Sequence, residues 1–97
     1  MEKTDKSVLE EASEIVNGPR KDNYGHPAIN FARTATIWKV ILGVEVTPRQ
    51  VALCMIGVKL AREAHTPNRD NLVDTAGYAE VVRQIDEYDG EIPANLR

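Results

Sequence analysis

The chain has 97 residues, a formal net charge of −3 and one cysteine. A chain of this length supports one hydrophobic core, so residues 1–97 are predicted to form one domain, and association into a homo-oligomer would add buried area. The acidic balance argues against a partner such as duplex nucleic acid, which needs a basic face, and one cysteine excludes a disulfide framework or a zinc-ligand set. The charged N-terminus and the lack of a long apolar segment predict a cytoplasmic protein without a membrane partner.

Capping signals and hydrophobic periodicity predict an all-α fold with four helices packed as a bundle. Ser7 to Glu10 has the form of a capping box, which predicts the start of the first helix. Pro27 suits the first position of the second helix, in which Phe31 and Leu42 belong to an apolar stripe. The predicted helices cover residues 7–16, 27–42, 48–65 and 70–88, and the tail 89–97 is predicted to be irregular.

The third predicted helix has the clearest start in the chain, because Thr47, Pro48 and Gln50 supply a cap, a first helical residue and a capping-box partner. From residue 51 to residue 61 this helix is apolar on almost every side. Such a pattern is typical of a helix that is enclosed by others. We therefore expect it to be the central core helix, with Cys54 shielded and unreactive.

Two predicted helices carry acidic or amide groups at three-residue spacing. Glu10, Glu11 and Glu14 form an E-E-x-x-E run in the first helix, and Asn71 and Asp74 form an N-x-x-D run in the fourth. Residues three or four apart share a helix face, so two such helices side by side could direct several oxygen ligands into one gap. Hard oxygen ligands suit Mg²⁺ and the phosphates that it carries. The E-E-x-x-E run alone also fits a solvated first turn that is favoured by the helix dipole.

Asp74 lies on a partly apolar face of its helix, where an unpaired carboxylate would be costly to desolvate. Lys59 and Arg62 lie on a comparable face of the third helix. In one interpretation, Asp74 forms an internal salt bridge with Lys59 or Arg62 that links the two helices. In the other, Asp74 binds a metal ion while Lys59 or Arg62 binds the anionic oxygens of a phosphate.

The loop before the second predicted helix combines cations, an aromatic ring and a glycine. Arg20 and Lys21 could bind a phosphate, Tyr24 could stack on a base, and Gly25 allows a close approach of the backbone. The alternative is a structural loop, in which His26 caps the second helix and Tyr24 covers the core.

The two acidic runs together resemble those of the MazG-type all-α nucleoside triphosphate pyrophosphohydrolases. A wider pattern resembles a family of small phage and prophage proteins, and it consists of Asn17-Gly18-Pro19-Arg20, Tyr24-Gly25-His26-Pro27, Phe31, Trp38, Lys59-Leu60-Ala61-Arg62 and residues 70–78. The first resemblance implies that the acidic helices bind Mg²⁺ and that water attacks a (d)NTP with release of pyrophosphate. The second implies a setting in the cytoplasm of a bacterial host. Asn71 stands where the superfamily has Glu, and an amide is a poorer Mg²⁺ ligand than a carboxylate.

These resemblances imply an oligomeric nucleotide-binding protein, with Mg²⁺-dependent pyrophosphohydrolysis of a (d)NTP as the favoured activity. Glu11, Glu14, Asp74 and Asn71 would bind the metal, and Glu10 or Glu14 would be the base that activates water. The groups that would bind nucleotide or phosphate are Arg20, Lys21, Tyr24, Lys59 and Arg62. Two alternatives remain open: a protein that sequesters a nucleotide without hydrolysing it, and a helical module whose first helix docks a protein partner.

Overall fold

The computed structural model describes residues 5–97, apart from the side chain of Arg20. The elements are α1 (Val8–Asn17), α2 (Pro19–Tyr24), α3 (Pro27–Leu42), α4 (Pro48–His65), α5 (Arg69–Asp86) and a 3₁₀-helix (Ala94–Leu96). Four of these helices have ten or more residues, and no strand occurs within residues 5–97. The predicted all-α class is therefore confirmed. None of the described helices is long and apolar enough to cross a membrane.

The helix boundaries follow the capping signals closely. Thr47 and Gln50 form a capping box at the start of α4, in which each side chain accepts a hydrogen bond from the other residue's backbone N–H. Helix α3 ends at Gly43, whose φ of 71° places it in the left-handed region that glycine adopts without strain. Accordingly, α3 and α4 have the predicted bounds, and α1 and α5 differ from the predicted ones by one or two residues at each end.

The short helix α2 occupies a segment that was predicted to be a loop. Pro19 takes its first position, where a proline is pre-set for helical φ and needs no hydrogen-bond donor. The helix ends after Tyr24, where the Gly25 N–H donates to Lys21 O at 2.8 Å. A helix of six residues is too short to show hydrophobic periodicity, which is why the sequence pattern did not reveal it.

Helix α5 is the central element, because it packs along both α4 and α1 and also contacts α3. The prediction that α4 is enclosed on all sides is wrong for the single chain: Leu53 and Leu60 are 43% and 53% exposed. An apolar pattern indicates that a helix face is shielded from water, but it does not show whether the same chain or another molecule shields that face. Cys54, predicted to be shielded, is exposed on the same helix.

The core consists of small side chains. Its buried apolar residues are alanines and valines, and Val51 is the largest side chain that is fully buried. Phe31 and Trp38 pack against a cluster of Ala35, Val46 and Val51. The predicted stripe of α3 ends before Leu42, which is 59% exposed in the last turn of the helix.

His26 caps α3, and its charge state should make stability depend on pH. Its Nδ1 accepts a hydrogen bond from the Ala28 N–H at 3.0 Å, and its ring stacks on Tyr88 with ring centroids 4.4 Å apart. Burial, and secondarily the positive charge of Lys21, lower the pKa of His26 from 6.5. Protonation of Nδ1 would also turn the acceptor into a donor.

We expect the thermal midpoint to fall as the pH drops below about 6.5, because the unfolded state then binds more protons at His26 than the folded state does. The His26→Asn variant keeps a capping oxygen and should lose this dependence, which circular dichroism melts at several pH values would measure. His65→Asn, at the exposed C-terminal end of α4, is the matched control. Glu80 makes stability depend on pH only below 4.5, because hydrogen bonds from Arg83 and then Gln84 lower its pKa from 4.5 to about 2. An unchanged pH profile in His26→Asn would contradict the capping argument.

Candidate ligand-binding site

A pocket of about 210 Å³ lies beside the central helix. Its walls come from α1, α2, the first turns of α3, the middle of α5 and one residue of α4. Among the side chains that the structure describes, four predicted to bind a nucleotide, phosphate or metal line it: Lys21, Tyr24, Lys59 and Asp74. The chain therefore brings together side chains that lie up to 53 residues apart in sequence.

Lys59 and Asp74 form an ion pair in the pocket wall. Lys59 Nζ lies 2.9 Å from Asp74 Oδ2, and the two side chains are 14% and 36% exposed. This is the internal salt bridge between helices that one interpretation predicted, with Lys59 rather than Arg62 as the cation. An ammonium group has three N–H donors, so a second, anionic oxygen could bind Lys59 beside Asp74. Structural and ligand-binding roles are thus compatible at this position.

The remaining walls are aromatic, aliphatic and small. Phe31 and Tyr78 meet edge to face, with ring centroids 6.2 Å apart and an angle of 66° between the ring planes. Tyr24 is 56% exposed at the end of α2 and also lines the pocket. Asn30 is a further polar lining residue, and its amide can both donate and accept hydrogen bonds. A planar, partly polar ligand suits such a lining.

Two glycines shape the pocket. Gly25 has φ 79° and ψ −170°, a conformation open to glycine and strained for other residues, and it turns the chain from α2 into α3. Gly77 is buried in α5, where an added Cβ would lie 3.5 Å from Val16 Cγ2 of α1. The missing side chain therefore leaves space between α1 and α5 at the pocket wall.

The acidic run of α1 lies outside the pocket. Glu11 pairs with Arg69 at the start of α5, and Glu14 pairs with Lys6 at 2.7 Å. Glu10 is exposed, and only its backbone N–H, which donates to Ser7 Oγ at 3.0 Å, takes part in the helix cap.

Two other predicted groups, Asn71 and Arg62, are also placed apart from the pocket lining. The Asn71 amide donates to Glu63 Oε1 at 3.2 Å, which links α5 to α4. Arg62 is exposed and does not line the pocket. The Arg20 side chain lies outside the described part of the chain.

The side chains fit a single-chain Mg²⁺ site poorly. Of the four proposed ligands, Asp74 alone lines the pocket, and its nearest charged partner is the Lys59 ammonium. Among the residues that the structure describes, no group of three or more His, Cys, Asp or Glu side chains could hold a metal ion. Hard cations prefer several oxygen ligands around one point, and Glu11 and Glu14 of α1 are instead paired with cations. The metal site stays a prediction, because the described residues of a single chain do not bring the predicted ligands together.

Some lining residues escaped the sequence interpretation. Phe31 was assigned to the core, and it both packs there and lines the pocket. Tyr78 follows Asp74 by one helical turn, and this spacing placed both residues on one face without indicating a cavity. Gly77 gave a weak signal, because a glycine inside a helix costs stability relative to alanine, but Gly57 gives the same signal in α4 and does not line the pocket.

Comparison with known proteins identifies the family. A family described as "Domain of unknown function (DUF6378)" matches residues 7–86. The chain belongs to this family. The DUF6378 region contains α1 to α5 in full, and thus every described residue that lines the pocket.

Two phage proteins are similar to this DUF6378 chain. The Gene 55 protein of Mycobacterium phage D29 is 43% identical over 82 residues, which cover 84% of this chain and 54% of that protein. The Gene 55 protein of Mycobacterium phage L5 is 43% identical over 81 residues, which cover 81% of this chain and 52% of that protein. The chain thus spans about half the length of these relatives. The resemblance to small phage proteins is confirmed, whereas the likeness to pyrophosphohydrolases stays a prediction. No solved structure matches the chain significantly.

Proposed function

We propose that this DUF6378 chain binds a nucleotide in the pocket beside α5 and holds it without a resident metal ion. The observation that carries the proposal is the convergence of Lys21, Lys59 and three aromatic rings on one pocket. Ammonium groups attract phosphate oxygens, and aromatic faces stack on bases with little regard to base identity. The pocket thus offers a partner to both chemical halves of a nucleotide.

The charges of the pocket favour a ligand with few negative charges. Its described ionisable lining residues include two lysines and Asp74, which together carry a formal charge of +1. A triphosphate would place several negative charges next to the Asp74 carboxylate, and like charges at short range repel. A single phosphate group or phosphodiester suits this balance better. The proposed ligand is therefore a nucleotide with one phosphate per nucleoside.

The size of the pocket indicates that it would enclose only part of a nucleotide. Its volume of about 210 Å³ is below the ~300–1,000 Å³ that is usual for small-molecule sites. We infer that the base and sugar enter between α1 and α5, while the phosphate stays near Lys59 and toward solvent. Tyr24, which is more than half exposed, would cover the outer side of the ligand.

Hydrolysis of the nucleotide lacks comparable support from the pocket. Generation of a nucleophilic hydroxide needs a metal site or a base close to the phosphate. Asp74 is the one carboxylate among the described residues that line the pocket, and Lys59 already binds it. Sequestration without turnover is therefore the function that we propose, and a phage protein of this kind would lower the free concentration of a host nucleotide.

The test is a binding and recovery experiment. Nucleoside monophosphates, cyclic nucleotides and (d)NTPs are titrated by calorimetry, once in EDTA and once with Mg²⁺, and the nucleotide is then recovered and separated by chromatography. We expect stoichiometric binding of a mono- or cyclic nucleotide that is independent of Mg²⁺, a raised thermal midpoint and unchanged recovered nucleotide. Release of pyrophosphate from a (d)NTP in Mg²⁺ would overturn sequestration in favour of the hydrolase. Absence of binding across the panel would overturn both.

A further inference from the structure

The outer face of α4 is uncharged over about two and a half turns. Every exposed residue of this helix from position 53 to position 61 is apolar or small: Leu53, Cys54, Gly57, Val58, Leu60 and Ala61. Among the described residues, twelve large hydrophobic side chains are exposed, and eight of these lie between residues 37 and 60. Exposed apolar surface that is concentrated on one region marks an interaction site. The α4 outer face is the most regular part of that region.

The exposed area of the chain is large enough to account for a stable interface. A folded monomer of 10.8 kDa exposes about 5,500 Å² by the usual scaling with mass. This chain exposes 6675 Å², which is roughly 1,100 Å² more. A stable complex of standard size buries about 800 Å² on each partner. The excess is larger than the area that one partner of a standard interface covers, and the exposed apolar side chains between residues 37 and 60 indicate where such an interface would lie.

The spacing along the α4 outer face fits a second copy of the same helix. Leu53, Gly57, Leu60 and Ala64 recur at intervals of four, three and four residues, which is the spacing of the contact positions in paired helices. Large and small residues alternate along this row. In an antiparallel pair, Leu53 of one chain would lie over Ala64 of the second copy, and Gly57 would lie under Leu60. Each leucine would thus occupy the space that a small residue leaves.

We propose that two copies of this chain associate through the α4 outer face, with the two α4 helices antiparallel. The ligand pocket stays accessible in such a dimer. At 100° per residue, Lys59 lies about 160° around the helix axis from Gly57, about 120° from Leu53 and about 100° from Leu60. Association and ligand binding therefore use different sides of α4, and one can fail in an experiment without the other.

Gly57→Glu is the variant that tests the dimer. An added Cβ at Gly57 meets no atom within 4 Å in the single chain, and Glu is a better helix former than Gly, so the folded monomer should tolerate it. A carboxylate on each helix in the middle of an apolar contact would be desolvated without a partner. We expect wild type to sediment as a dimer of twice 10.8 kDa, and Gly57→Glu to weaken association at least about a hundredfold. Ala79→Glu, at an exposed position of α5, is the matched control and should stay dimeric.

Cys54 reports on the same face. It is the single cysteine of the chain and is exposed, so a maleimide should react slowly in the dimer and faster in Gly57→Glu. In the antiparallel register the two Cys54 residues would be about 14 Å apart along the axis, nine residues at 1.5 Å each, which is too far for a disulfide. Rapid formation of a Cys54 disulfide between copies would overturn the antiparallel arrangement. A wild-type monomer at high concentration, or a dimer unaffected by Gly57→Glu while circular dichroism shows both folded, would overturn the interface.

Discussion

Replacing Lys59 by glutamine should weaken nucleotide binding at least about tenfold, while binding of the corresponding nucleoside changes little. The substitution keeps hydrogen-bond donors and most of the side-chain length, but it removes the positive charge that would contact the phosphate. A hydrogen bond to a charged group contributes about 1.5–3 kcal/mol, and every 1.4 kcal/mol corresponds to a factor of ten in affinity. Calorimetric titration of matched nucleotide and nucleoside pairs measures the difference directly.

Arg62→Gln is the control for this experiment, because Arg62 lies on the same helix and is exposed without lining the pocket. It removes the same charge from the chain, so any long-range electrostatic effect should appear in both variants. A similar loss in both variants would indicate such a long-range effect, and a larger loss in Arg62→Gln than in Lys59→Gln would assign the phosphate to Arg62, as one sequence interpretation did. An equal loss for nucleoside and nucleotide in Lys59→Gln would mean that Lys59 only supports the pocket wall.

The same substitution should reduce stability moderately. Lys59 is 14% exposed and pairs with Asp74 at 2.9 Å, so the variant leaves a half-buried carboxylate without its cation. Complete burial would make the loss about 3–5 kcal/mol, but Asp74 is 36% exposed and the glutamine amide can still donate to it. We expect a decrease of about 1–2 kcal/mol in the free energy of unfolding. Urea denaturation measures this effect independently of ligand binding.

The sequence predicted the local structure better than the packing. Caps at Thr47 and Gly43, and the proline after His26, are local features, so the bounds of α3 and α4 could be read from neighbouring residues. The exposure of Leu53 and Leu60 could not be predicted from neighbouring residues, because it depends on which elements pack against α4. In the same way, the periodicity identified an apolar helix and could not distinguish burial within one chain from burial between two.

The same difference between local pattern and packing explains which residues of the candidate site were predicted correctly. Lys59 and Asp74 were identified because each is a charge on an apolar face, and the fold pairs them. Glu11 and Glu14 were identified from a motif, and their partners Arg69 and Lys6 give no local signal of pairing. A contact between residues 58 positions apart depends on how α1 lies against α5, which spacing along α1 does not determine.

Glu11 and Glu14 should respond differently to the same chemical change. Glu11 and Arg69 have side chains that are 32% and 25% exposed, and the Glu11 Oε2 atom is shielded from solvent against the Arg69 guanidinium. Arg69 also donates to Lys6 O at 2.8 Å, so this guanidinium joins the start of α5 to the segment before α1. Glu14 and Lys6 are 52–56% exposed, and such surface pairs contribute about 0–1 kcal/mol.

We therefore expect Glu11→Gln to lower the free energy of unfolding by about 1–3 kcal/mol, and Glu14→Gln to lower it by less than about 0.5 kcal/mol. Urea denaturation in EDTA gives both values, and Arg69→Met should lower the free energy of unfolding at least as much as Glu11→Gln, because it breaks the same contact and also the hydrogen bond to Lys6 O. Repeating the series with Mg²⁺ and nucleotide separates the structural role from the predicted metal site. If Mg²⁺ stabilises wild type and both glutamine variants lose that stabilisation equally, the two carboxylates share a metal ion and the ion-pair account of Glu11 fails. If Mg²⁺ changes none of the unfolding curves, the two carboxylates bind no metal ion under these conditions, and the contribution of Glu11 to stability comes from its contact with Arg69.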